Sequence, residues 1–139
     1  MTQKKQPTLE ELAKQAEEAM ADLARTFPAI ATSTVQEIKL ALAEAMGTFD
    51  RERTDIIKTK LYPKVHDLKG QGATFGYPLI TDVGSHLCQF LISKKSYSPT
   101  DLQQIKKEVQ TIETILWKKL KGDGGAKGAE ILEMLRKKK

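Results

Sequence analysis

The chain of 139 residues holds two histidines and one cysteine. Cys88 stands alone, so it can form neither an internal disulfide nor a cysteine-rich metal site, and its apolar neighbours mark it as a small core side chain. No metal ligand set is expected. The residues with chemical promise are His66 and what surrounds it. Leu61, Val65, Leu68, Phe75 and Leu79 recur at helical spacing. At about 100° per residue, His66 falls about 140° from the centre of that stripe, on the solvent side. Lys69 follows at i+3, Gly70 at i+4 and Ala73 at i+7, all on the histidine's side of the helix. Glycine inside a helix costs up to ~1 kcal/mol relative to alanine. Gly70 and Gly72 are therefore read, with Ala73, as a strip kept bare for a docking partner, and Lys69 as a cation for an anion bound beside the ring. A neutral imidazole nitrogen is a nucleophile near neutral pH. Phosphoryl transfer asks mainly for in-line positioning and charge stabilisation, so a simple surface can carry it.

The elements that must hold these residues all read as helices. Thr8 and Glu11 form a capping-box signal ahead of a stripe of Leu9, Leu12, Ala16, Met20 and Leu23. Phe27-Pro28 is expected to end that helix, and Thr32, Ser33 and Thr34 to cap the next, whose stripe is Val35, Ile38, Leu42, Ala45 or Met46, and Phe49. A third helical region covers 51–75, with a kink or a fresh start near Tyr62 because of Pro63. Gly76 is the expected left-handed stop. Tyr77-Pro78 opens a fourth helix with Ile80, Val83, Leu87 and Phe90 or Leu91 inward. Ser98-Pro99-Thr100-Asp101 opens a fifth with Leu102, Ile105, Val109, Ile112, Leu116 and Leu120 inward. Trp117 and Tyr97 read as packing at the bundle edge.

These stripes can be buried only against one another. The expected fold is all-α, an antiparallel four-helix bundle with an additional N-terminal helix. The expected division is a polar arm over 1–7, a helical domain over 8–121, and a glycine-rich linker followed by a short basic helix or tail over 122–139.

Forty per cent of residues are apolar and 29% charged, an ordinary globular composition, and no run is long enough to span a membrane. The first seven residues have no apolar leader core, so a cytoplasmic protein is expected. The net charge of +5 is smaller than the six basic charges at the ends, Lys4, Lys5, Arg136, Lys137, Lys138 and Lys139. The body between is slightly acidic, which argues against a nucleic-acid or membrane binder.

The string His66-Asp67-Leu68-Lys69-Gly70-Gln71-Gly72-Ala73-Thr74-Phe75-Gly76 resembles the phosphoacceptor motif of histidine-containing phosphotransfer (HPt) domains. That motif has an aliphatic residue at +2, lysine at +3, glycine at +4, small residues after it and glycine at +10. The ending Thr74-Phe75-Gly76 is similar to the N-terminal phosphotransfer domain of chemotaxis histidine kinases. The resemblance implies a four-helix bundle with His66 exposed, exchanging a phosphoryl group with a receiver-domain aspartate in a two-component phosphorelay. It implies no cofactor on this chain, magnesium on the receiver, and a receiver domain and a sensor histidine kinase as partners. In the chemotaxis kinases a second histidine, with a glutamate three residues later, accompanies the phosphoacceptor. His86 and Gln89 hold similar places if one extra residue follows Gly76, and Gln89 could then orient the His66 ring through a hydrogen bond. Gln71, Gln89 in place of glutamate, and Pro63 depart from the pattern. No P-loop-type nucleotide motif is present, so a stand-alone, monomeric carrier without kinase activity is expected. The alternative is a helical adaptor that binds receiver or kinase domains without phosphoryl transfer.

Overall fold

The computed structural model describes residues 6–122 and 124–137, without the side chain of residue 137. Lys4, Lys5, Lys138 and Lys139, and most of the expected polar arm, lie outside the described residues. Every regular element among those described is helical: α1 (Leu9–Met46), α2 (Asp50–Ile56), α3 (Tyr62–Gly72), α4 (Pro78–Ile92), α5 (Pro99–Trp117) and α6 (Gly125–Lys137). None is long and apolar enough to cross a membrane.

The first two expected helices are one. α1 passes through Pro28 without a break, although proline inside a helix removes an N–H and costs ~3 kcal/mol. Neighbouring hydroxyls serve the carbonyls around it. Thr26 donates to Asp22 and Leu23, and Thr32 donates to the Pro28 carbonyl at 2.7 Å. Thr32 and Thr34, expected as caps, thus bond four residues back, as they do in helix interiors. Phe27 anchors the passage by stacking on Phe75 at 5.2 Å and leaning on Tyr77 at 5.7 Å. The expected cap at the helix start is present, with Thr8 Oγ1 accepting the Glu11 N–H.

Residues 50–72 form one helical run interrupted by a π-helical turn at Ile57–Leu61. Pro63 explains the interruption. It has no N–H to offer the Thr59 carbonyl and its ring would press on that group, so the preceding turn widens and the Tyr62 N–H reaches back to Ile57. α3 therefore starts at Tyr62, in line with expectation. Its last turn tightens to a 3₁₀ turn, and Gly76 stops it at φ 91°.

The core takes Phe27, Val35, Ile38 and Leu42 from α1, Ile57 and Leu61 from the π turn, and Val65 and Leu68 from α3. Leu79, Ile80, Val83 and Leu87 come from α4, and Leu102, Ile105, Val109 and Ile112 from α5. α3 packs on α4, α5 on both α1 and α4, and α1 on the 50–72 run. The expected N-terminal stripe is not buried: Leu9, Leu12, Ala16, Met20 and Leu23 are all exposed on the first half of α1. Two further positions expected to pack also fail. Phe49 lies outside α1 and is exposed, with the Arg53 guanidinium over its ring. Trp117 is 81% exposed and is not packed at the edge. Tyr97 is buried, its hydroxyl donating to the Leu91 carbonyl at 2.7 Å. After the glycine-rich linker, α6 folds back and buries Ile131 near α4.

Candidate functional site

α3 and α4 run side by side at close range, and two glycines permit it. A Cβ on Gly84 of α4 would lie 3.1 Å from the Lys69 Cβ. A Cβ on Gly72 of α3 would lie 2.8 Å from both Thr81 Oγ1 and the Tyr77 carbonyl. Thr81 then stitches the helices together. Its hydroxyl donates to the Lys69 carbonyl and accepts the Ala73 N–H, each at 2.8 Å. The residues around His66 thus stand on a helix pair fixed by backbone contact, which suits a site that must hold its geometry.

His66 is exposed on the outer face of α3. Among the described residues its one ring contact is with Tyr62, four residues earlier, at 6.0 Å between centroids. No hydrogen bond engages its imidazole among the described residues. Gly70 and Ala73 are exposed beside it, and a Cβ on Gly70 would meet nothing within 4 Å. Internal packing therefore does not explain Gly70, and the bare surface beside the ring is open. Lys69 is half-buried at its stem, against Gly84, and makes no ion pair among the described residues. Its ammonium acts on Cys88: burial pushes that thiol up, and the lysine charge offsets part of the rise. Lys60 and Lys64 are instead paired with Glu44 and Glu37 on α1, at 3.0 Å each.

Three expected site residues sit differently. Gly72 is buried beneath Tyr77 and Thr81, so it serves the α3–α4 contact and cannot belong to a docking strip. Gln89 is exposed on α4, and no hydrogen bond joins it to His66 among the described residues. His86 turns away toward α5, where its Nδ1 pairs with the Glu108 carboxylate. Glu108 is only 2% exposed, and its second oxygen accepts the Gln104 amide at 2.8 Å. This Glu108 pairing was missed from sequence, yet a signal was there: Glu108 falls three residues after Ile105 and four before Ile112, on the buried face. A carboxylate there needs a partner. Tyr62 was missed as the ring's neighbour; its place one turn before His66 was the clue.

Comparison with protein-family models, with curated proteins and with solved structures finds no match. The chemical reading therefore rests on the residues themselves. An exposed imidazole with no hydrogen bond among the described residues, a cation one turn away and a bare patch of backbone can together receive an anionic group presented by another protein.

Proposed function

We propose that this chain is a histidine phosphotransfer protein of a two-component phosphorelay. The reading takes α1, the 50–72 run, α4 and α5 as the four helices of an HPt-type bundle, with His66 as phosphoacceptor. A ring nitrogen of His66 attacks the phosphorus of a receiver's aspartyl phosphate. The N–P bond forms as the P–O bond to the aspartyl carboxyl breaks, and the carboxylate leaves with the electron pair. The proton on the other ring nitrogen stays on the ring during transfer. Magnesium is held by the receiver, and a sensor histidine kinase loads the relay upstream. Lys69 steadies the phosphoryl oxygens, and Gly70 and Ala73 leave room for the receiver's active-site loops. The chain itself acts as a carrier and not as a kinase.

The observation that carries this reading is the exposed His66 ring, without a hydrogen bond among the described residues, beside Gly70, where a Cβ would meet nothing within 4 Å. A helical adaptor is the competing reading, favoured by the absence, among the described residues, of a hydrogen bond orienting His66. Incubation with phosphorylated receiver domains distinguishes the two. The wild type is expected to take up label and His66→Gln to stay blank. A partner that binds tightly while both proteins stay unlabelled would establish the adaptor, and equal labelling of both would remove His66 from the chemistry.

A further inference from the structure

The first 18 residues of α1 are exposed but for the half-buried Ala24. Residues 9–26 lie beyond the packed body, with no buried position among them. Leu9 is 87% exposed, Leu12 46%, and Met20 and Leu23 45% each. An ordinary solvated helix would not be patterned in this way. Leu9, Leu12, Ala16, Ala19, Leu23 and Thr26 alternate spacings of three and four, the seam of a two-stranded coil. Continued at the same spacing the seam runs on to Ile30, which is 49% exposed, while the core face of the lower helix, at Phe27, Ala31 and Ile38, lies to one side of it.

The charges say what can cover this seam. Glu10, Glu11, Lys14, Glu17, Glu18 and Arg25 all lie on the side away from it. The flanks of the seam are Ala13, Gln15, Met20 and Asp22, and Asp22 is ion-paired with Arg25 on its own helix. A second copy can therefore approach without bringing like charges face to face. We propose that the N-terminal half of α1 pairs antiparallel with the same segment of a second copy of this chain. In that register Leu12 meets Leu23 of the other copy, Ala16 meets Ala19, and Leu9 meets Thr26. The small residues fall at the centre, where the helices close, with Met20 filling beside them.

The length of the extension fits this arrangement. Eighteen helical residues span about 27 Å. The start of the second helix then reaches Thr26, one residue before the first buried side chain, Phe27. The two bodies sit at opposite ends of the pair. Phe75 stacks on Phe27 and Lys64 bonds to Glu37, so His66 lies level with the stretch of α1 between those two, clear of the seam. The contact is one short helix pair, smaller than the about 800 Å² per partner of a standard interface, so the dimer is weak and concentration-dependent. The proposal is independent of the phosphoryl reading.

Sedimentation equilibrium of the full chain tests it. The mass is expected to rise from 15.5 kDa toward twice that value with concentration. Leu12→Glu/Leu23→Glu is expected to stay at the monomer mass with unchanged helical circular dichroism, since both positions are exposed. Mixing Ala16→Cys chains with Ala19→Cys chains under oxidation is expected to give a covalent heterodimer. A wild type still monomeric at ~1 mM would overturn the proposal. So would a dimer that persists in the double glutamate variant, or a Leu12→Cys chain that cross-links to itself, which places the helices parallel.

Discussion

The outer face of α3 and the seam between α4 and α5 each hold one of the two histidines, and they use it in opposite ways. His86 is held by a buried carboxylate, itself held by Gln104, so three polar groups bridge two helices. His66 has an aromatic neighbour and no hydrogen bond among the described residues. The seam is satisfied from within; the face of α3 is left for something outside to satisfy. Residue type alone does not mark a reactive histidine. What its ring is already bonded to does.

The contrast can be broken from either side. The largest expected effect on the fold is at the seam. Glu108→Ala leaves His86 facing a cavity and is expected to cost about 3 kcal/mol in urea unfolding, while label uptake per folded molecule is retained. A loss of transfer out of proportion to unfolding would mean that the two histidines act together. On α3, the two glycines should separate function from stability. Gly70→Leu is expected to slow transfer about 100-fold by displacing the receiver while the melting curve stays put. Gly72→Ala should do the reverse, costing about 2 kcal/mol because its Cβ strikes backbone on α4, with transfer by the folded fraction intact. The smallest effect is expected for Lys69→Ala, about tenfold slower transfer through loss of one charge-assisted contact, read from single-turnover rates at saturating receiver.

Most of the helical architecture was legible because the stripes are regular. Val35, Ile38, Leu42, Ile80, Val83 and Ile105 are buried as their spacing requires, and Gly76 stops its helix with the positive φ that glycine allows. The expected break at Phe27-Pro28 failed because a helix ends where its total free energy turns unfavourable, and not at every proline. The Phe27 ring packed on Phe75 and Tyr77, together with hydroxyls bonded back along the helix, outweighs one missing N–H. At the site, the exposure of His66, Gly70 and Ala73 follows from the helical period alone. The roles of Gly72, His86 and Gln89 depend on how two helices approach each other. That approach is set by contacts such as Lys69 with Gly84 and Glu108 with His86, which join residues 15 and more apart in sequence and leave no periodic trace.

The central claim is that His66, and not His86, is the acceptor. Phosphorus NMR with peptide mapping at neutral to alkaline pH, on wild-type chain loaded from a phosphorylated receiver, reads this directly. A single phosphoramidate signal that maps to the peptide containing His66 is the expected result. A phosphoryl group found on His86, or on neither histidine while label stays with the chain, would contradict it.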